Sequence, residues 1–512
     1  MQGGILSAAE PVQPNAAAAA PHHRLARSYG VWAAAAIAAL TVARLIWLAA
    51  TTAELYPDEA QYWFWSLHPA LGYYSKPPLV AWVIGLTTRV LGDSEFAIRL
   101  TAPFLHAIAA AFVYGIAARL YDRRTGFWSA LAYITLPGVS LSAFLISTDA
   151  VLLPCWAAAL YAFIRAREPG GERWWLAVGI AAGLGLLAKY AMAYWLLSAF
   201  GYVLLVRDER RHFPRLLGAS LIALLLYLPN VWWNWQHDFV SYRHVRDNAE
   251  IAGVLFHPGA FLEFLASQFA VFGPLFFAVL IAIAARLRSL AEPRARLLAA
   301  FALPALAMML GVSLLSRAQP NWAAPTYVSA TVLVIAWALR GEWRRGLRIA
   351  IAINLAGAVA LFGVGDALAA AGITMPARYD PLHRLRGWRA FGQEVGAALA
   401  AHPGLSLLAD DRELLAALVY YVRPHPLDAV EWNPIPGIWD QFLLANNLAG
   451  HVGEDFLAVT KHGLIEEMRP VFAEIVPLGT IRSHAGAVRE RPYALYILRG
   501  YRGPSAPAQR RR

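Results

Sequence analysis

Apolar residues occur along this chain in long unbroken runs, not at the spacing of an amphipathic helix or the alternation of a half-buried strand. The runs fall at about 31–52, 98–118, 126–144, 150–164, 174–188, 190–206, 216–233, 261–285, 297–315, 323–339 and 347–370. A helix crossing about 30 Å of hydrocarbon needs about 20 residues. The pattern therefore predicts about eleven transmembrane helices, with 190–206 short enough for a re-entrant segment. Residues 1–22 are rich in Ala and Pro without periodicity, and predict a disordered cytoplasmic tail over 1–30. The run at 31–52 is too long for a signal-peptide core and no cleavage signal follows it, so it is expected to stay as a span. From about 371 the pattern changes. Short stretches at Leu405–Ala409, Phe456–Thr460 and Tyr493–Leu498 read as strands. Arg412–Tyr421 and Leu464–Phe472 read as amphipathic helices between them. Residues 371–498 are thus expected as an α/β domain, and 499–512 as a basic tail.

Composition agrees. Of 512 residues, 59% are hydrophobic and 15% charged, against roughly 45–50% and about 25% in soluble domains. A soluble globular protein and a disordered chain are both excluded. The fold class is an α-helical polytopic membrane protein with a small C-terminal α/β domain. The formal charge of +11 comes from 44 basic and 33 acidic residues. It is concentrated in alternate loops: with the N-terminus in the cytoplasm, inside loops hold 20 arginines and outside loops before residue 371 hold seven basic residues. The positive-inside rule then predicts an odd number of crossings, with the C-terminal domain outside. Cys155 is the only cysteine, so no internal disulfide forms. There is no Gly-rich Lys-Ser/Thr loop and no dinucleotide glycine pattern, which argues against ATP or a nucleotide-sugar donor. Arginines interleaved with aromatics occur only in short inside loops, so no nucleic-acid partner is expected.

Candidate chemistry gathers in the first outside loop, 53–92. Asp58 and Glu59 follow the first span and lead into an aromatic stretch containing Tyr62, Trp63 and Trp65. Tyr74, Ser75 and Lys76-Pro77-Pro78 come next. An acid at the membrane edge can take a proton from an acceptor hydroxyl. A lysine there can neutralise a lipid phosphate, more strongly than in water. The same residues also make a good helix start, with Asp58 as a cap and the aromatics as an interface belt. Asp149 lies between two apolar runs, as either a partner of Asp58 or a helix cap. Lys189 ends an apolar run, where a charge is costly without a task. Arg243 and Arg246 lie in a long outside loop, as candidate phosphate ligands or as a solvated face. The outside histidines show no metal-ligand spacing. Gly179 and Gly183 form a small-xxx-small pair that suits close helix packing.

Several motifs carry a resemblance. Asp58-Glu59-Ala-Gln-Tyr62-Trp63, Tyr-Ser-Lys76-Pro-Pro, Gly92-Asp-Ser-Glu-Phe-Ala-Ile-Arg99, Ser147-Thr-Asp149-Ala, Gln319-Pro-Asn-Trp322 and Asp411-Arg-Glu413 together resemble the bacterial family 39 glycosyltransferases. That group includes the aminoarabinose transferases of lipid A and, more distantly, the protein O-mannosyltransferases. The resemblance runs over most of residues 30–500. It implies the GT-C fold over 31–370 and a sugar taken from a polyprenyl phosphate. The implied acceptor is extracytoplasmic: lipid A, another envelope glycan or protein. It implies Asp58 as general base; the residues themselves add Glu59 and Asp149 as candidate acids beside it. Lys76 faces the lipid phosphate, with Lys189, Arg243 and Arg246 as further cations. Tyr62, Tyr74 and Trp322 are the candidate substrate contacts. In the aminoarabinose transferases an acid linked to a metal precedes the lysine. Here that position is Ser75, so no metal is carried over and no cofactor is expected. The expected location is the bacterial inner membrane. The competing classes are a lipid-linked sugar flippase, which would favour mid-span charges and repeated broken helices, and a non-catalytic glycan binder.

Overall fold

The computed structural model describes residues 20–248, 256–287, 292–373, 375–435 and 437–503. Most of the tail expected over 1–30, and the last residues of the basic tail, lie outside this range. The first helix, α1 (Ala20–Ala50), begins within the expected tail. Then follow α2 (Pro57–Leu67), α3 (Leu79–Leu91), α4 (Glu95–Arg99), α5 (Thr101–Leu120), α6 (Arg123–Ile134), α7 (Pro137–Ser142), α8 (Thr148–Ala166), α9 (Trp174–Ala188) and α10 (Met192–Leu205). The helical part continues with α11 (Phe213–Gln236), α12 (Val240–Asn248), α13 (Pro258–Phe272), α14 (Pro274–Ala285), α15 (Pro293–Leu315), α16 (Thr326–Arg340) and α17 (Arg344–Ala370).

Among the described residues, six helices are long and apolar enough to cross a membrane, against the eleven expected, and α13 with α14 make a seventh if that bent pair is one broken span and not a re-entrant loop. Every expected span contains helix, but two are broken. The 126–144 run divides into α6 and α7 ahead of Pro137, whose ring disfavours helical geometry at Leu136. The 261–285 run bends by 117° at Gly273, where φ is +89° and Pro274 starts the next helix. Both breaks lie beside the site described below.

The expected glycine packing is present. A Cβ on Gly179 would come within 2.7 Å of the Ala219 carbonyl oxygen on α11, and one on Gly183 within 2.8 Å of Leu226. Gly179→Val should therefore push α9 from α11 and lower stability by about 1–3 kcal/mol. A lowered thermal transition in detergent checks this.

The C-terminal part adds α18 (Trp388–Ala400), α19 (Arg412–Tyr421) and α20 (Gln441–Ala445) to a sheet. Its strands are β1 (Ser406–Ala409), β2 (Val430–Glu431), β3 (Phe456–Thr460), β4 (Phe472–Ser483) and β5 (Arg491–Tyr501), in the order β2-β1-β3-β5-β4. The first three strands are mutually parallel, and β5 is antiparallel to both β3 and β4. Strand β5 runs past Leu498 into the expected tail.

This domain is fixed to the first loop. The Leu55 amide donates to Tyr421 Oη at 2.6 Å, the Trp388 amide donates to Glu54 Oε2 at 2.6 Å, and Tyr420 Oη donates to the Asp93 carbonyl at 2.6 Å. The α2 aromatics complete the joint. Trp63 lies edge-on to Tyr420 at 5.0 Å and Phe64 stacks on Phe442 at 5.0 Å. Tyr62, Trp63, Phe64 and Trp65 are all buried. Trp63 and Phe64 cement the two parts together, while Trp65 stacks on Tyr73 of the first loop, so these rings are not the interface belt that composition allowed. Burying each contributes about 1.5–3 kcal/mol.

Candidate active site

Helix α2 begins with Pro57 at its first position, which suits a ring with fixed φ and no amide proton. Asp58 and Glu59 follow in the first turn, where the helix dipole favours negative charge. The two acids face different surroundings. Glu59 is buried and accepts from Arg99 Nε at 2.9 Å and Nη2 at 2.6 Å. It also accepts from the Tyr56 amide at 3.0 Å and the Ile146 amide at 2.9 Å. Arg99 donates further to the carbonyls of Ala53 and Glu54. Glu59 therefore has no free lone pair turned toward a substrate. It lines the same cavity as Asp58, and its hydrogen bonds tie together the loop before α2, the end of α4 and the segment entering α8.

Asp58 is 41% exposed at its side chain and is held by Arg412 Nη1 at 3.0 Å. The same Nη1 donates to the Gln61 side-chain oxygen, one residue from the helix face that carries Tyr62. Asp149 sits in the first turn of α8, and the N-cap position belongs to Ser147, so Asp149 is not the cap. It is buried and accepts from Lys189 Nζ at 2.7 Å and Asn321 Nδ2 at 2.6 Å. Lys189 is the residue at the end of α9, so its charge is matched by the acid at the start of α8.

Lys76 is half-buried, and among the described residues it forms no ion pair. Burial lowers its pKa, and the charges of Lys189 and Arg412 lower it further. Asp58 and Asp149 act in the opposite sense. Lys76, Lys189, Arg412, Asp58 and Asp149 thus form one electrostatic cluster. His244 lies against it, 4.8 Å from the Tyr74 ring. Burial, then Lys76 and Arg412, push its pKa down to about 4, so it is neutral near pH 7.

Asp58, Glu59 and Asp149 all border a cavity of about 360 Å³. Tyr56, Tyr62 and Asn321 join them on its polar side, and Leu136, Val139, Leu145 and Val271 make much of the remainder. The apolar wall comes from the two broken spans. Burial, then the Asp58 charge, push the Tyr62 phenol well above its usual range, so it remains a hydroxyl donor.

Other expected site residues fall elsewhere. Arg246 is exposed and pairs with Asp247 at 3.1 Å. Arg243 is exposed, and its charge is felt by the Tyr74 phenol. Tyr74 is buried against Trp233 and Val240, and its amide donates to Gln441 Oε1 at 2.7 Å. It braces the Lys76 loop against the C-terminal domain and does not line the cavity. Trp322 packs on the main core, and its neighbour Asn321 makes the contact to Asp149. Asn321 and Arg412 are the site residues that sequence reasoning passed over, although both stand inside motifs it singled out. Among the described residues no three His, Cys, Asp or Glu side chains are grouped to hold a metal ion.

The family model for dolichyl-phosphate-mannose-protein mannosyltransferase matches residues 75–233, a stretch that contains Lys76, Asp149 and Lys189. The lipid A galacturonosyltransferase RgtD of Rhizobium johnstonii is 34% identical over 391 residues, covering 75% of this chain and 81% of that protein. An undecaprenyl phosphate-alpha-4-amino-4-deoxy-L-arabinose arabinosyl transferase of Sodalis glossinidius is 33% identical over 170 residues, covering 29% of this chain and 30% of its own. Among solved structures, apo ArnT from Cupriavidus metallidurans superposes with a TM-score of 0.63 at 16% identity, over 91% of this chain and 97% of that one. That likeness concerns the fold.

Proposed function

The chain belongs to the family 39 glycosyltransferases, polytopic membrane enzymes of the GT-C fold that use polyprenyl-linked sugars, and we propose that it moves a galacturonic acid residue from a polyprenyl phosphate to lipid A or another lipopolysaccharide part. Membership makes the chain an enzyme and removes the transporter alternative. The sugar class follows RgtD, whose similarity extends over most of both chains. The observation that carries the chemistry is the pair of acids on an apolar pocket, Asp58 held by Arg412 and Asp149 held by Lys189, with Lys76 close enough to feel all four charges.

In this reading the prenyl chain lies along the apolar wall and the phosphate meets Lys76. An acceptor oxygen attacks the anomeric carbon. Asp58 takes the acceptor proton as the new bond forms. The bond to the phosphate oxygen breaks, and the lipid phosphate leaves with the electron pair. Lys76 offsets the charge that develops there, so strong acid help is not needed. One displacement inverts the anomeric centre. Asp149 keeps Lys189 and Asn321 in place next to the reacting groups. The reading assigns no cofactor. The excess of arginine in the alternate loops supports a reading in which those loops are cytoplasmic and the site and the C-terminal domain face the extracytoplasmic side.

The test supplies labelled polyprenyl-phosphate galacturonic acid to membranes bearing the protein and follows label into lipid A and core fractions. Label in those fractions is expected. Transfer of a labelled aminoarabinose or neutral hexose, with none of the uronic acid, overturns the sugar assignment. Lys76→Gln should raise the donor KM by about 10- to 100-fold, the loss of a charge-assisted phosphate contact. An unchanged KM would remove Lys76 from the donor site.

A further inference from the structure

From the placement of Arg412 we infer that this residue of the C-terminal domain recognises the carboxylate of the transferred uronic acid. The inference rests on the sugar class proposed above and names the group that selects it.

Arg412 is the first residue of α19, and its backbone is fixed on both sides. Asp411 caps the helix by accepting from the Leu414 amide at 2.9 Å. The Asp411 carboxylate also accepts from Lys461 Nζ at 3.0 Å. Asp410 accepts from the Lys461 and His462 amides at 2.8 and 2.9 Å. The turn before α19 is thus anchored to the end of β3. From that anchor the guanidinium reaches into the helical part and meets α2.

Only one nitrogen of the fork is used there. Nη1 serves both Asp58 and Gln61. Among the described residues Nε and Nη2 form no hydrogen bond, and the nearest acid to Nη2 is Glu413 at 3.8 Å. The Nε–Nη2 edge can bind both oxygens of a planar carboxylate side by side. Arg412 therefore presents two donors free of hydrogen bonds next to the group assigned as base, with Glu413 as a loose ion-pair partner of one of them.

Position decides between the anions that could fill that edge. The phosphate is tethered to a lipid and must lie near the membrane helices. Lys189 ends α9 and Lys76 immediately precedes Pro77 and α3, so both cations belong to the helical part. Arg412 alone of the three comes from the C-terminal domain. A sugar hanging from a phosphate near Lys76 and reacting beside Asp58 has the α19 end of that domain over it. Its C6 carboxylate is the anion that reaches Arg412.

The discriminating probes are two short-chain polyprenyl-phosphate donors, one carrying galacturonic acid and one carrying galactose, where the carboxylate is replaced by an alcohol. Binding of each is measured by tryptophan fluorescence for the full-length wild type, Arg412→Gln and Arg412→Lys in detergent. The wild type should bind the uronic acid donor about 10²-fold more tightly. Arg412→Gln should bind the two donors alike, the uronic acid donor losing about 10²-fold relative to the galactose donor. Arg412→Lys should recover part of the preference, and it guards against a folding defect in Arg412→Gln. Equal weakening of both donors by Arg412→Gln overturns the proposal, since the guanidinium would then serve the phosphate or the fold. An unchanged preference overturns it too. A wild type with no preference for the uronic acid defeats the sugar assignment itself, before any variant is compared.

Discussion

Asp58→Asn should reduce sugar transfer by about 10²- to 10⁴-fold, the range over which a positioned general base contributes. The substitution is close to isosteric. Its amide oxygen can still accept from Arg412 Nη1, so the 3.0 Å contact between α2 and the C-terminal domain has a replacement. What disappears is the ability to accept a proton. Donor binding should persist, because Lys76 and the apolar wall are untouched. The measurement is the initial rate of label transfer, made beside donor binding on the same preparation. Rates within a few-fold of wild type would remove Asp58 as the base. Loss of both binding and rate would make it a structural residue. Asp149→Asn is the useful comparison. It breaks the 2.7 Å ion pair with Lys189 and leaves the lysine without its acid, so donor affinity should suffer alongside rate.

Much of this site was legible in the sequence because its parts come from local signals. An acid pair after a proline reads as a helix start, and that is where Asp58 and Glu59 lie. The helix Arg412–Tyr421 and the strand Phe456–Thr460 have the boundaries that their patterns suggest. The family resemblance favoured Asp58 as the base, but local pattern alone could not separate it from Glu59. They are neighbours in the chain and share every local property. What divides them is Arg99, 40 residues away, which reaches only the second acid. Asn321 and Arg412 were missed for a similar reason: their partners lie 172 and 354 residues distant. The breaks in the two spans had visible causes, Pro137 and Gly273-Pro274, but a hydrophobic run outweighs a single breaker when length is the criterion. Strand β4 was missed because Pro477 and Gly479 interrupt its apolar pattern. The structure accommodates both on an edge strand, with a register shift between them.

The α2 aromatics show how context reverses a reading. Tyr, Trp and Phe after a span ordinarily suggest rings at the lipid headgroups. Here the C-terminal domain lies on them, and that contact brings Arg412 to Asp58. The aromatic cluster and the Arg412–Asp58 pair are consequences of one docking. A substitution that loosened Trp63 from Tyr420 would be expected to act on catalysis through Arg412.

Glu59→Ala should be the most damaging change to stability in this region. Arg99 and Glu59 are 1% and 2% exposed at their side chains. Removing the acid leaves a guanidinium buried with only backbone carbonyls as partners, and breaking a buried pair in this way costs about 3–5 kcal/mol. It also strips the Tyr56 and Ile146 amides of their acceptor. Those amides flank Asp58 on one side and Asp149 on the other, so both catalytic segments lose their anchor together. The expected result is poor accumulation and a lowered thermal transition in detergent. Glu59→Gln separates the structural from the catalytic account. Glutamine keeps an acceptor oxygen but not the charge, so it should be milder than alanine while still lowering the transition. A Glu59→Gln protein with the wild-type transition and no transfer activity would return Glu59 to catalysis. The double change Glu59→Leu with Arg99→Met supplies the converse evidence. It removes both charges and retains apolar volume, so it should recover much of the stability lost by Glu59→Ala. Measurable transfer by that double variant would show that Glu59 acts by holding Asp58 in place, since no carboxylate would remain at position 59 to do chemistry.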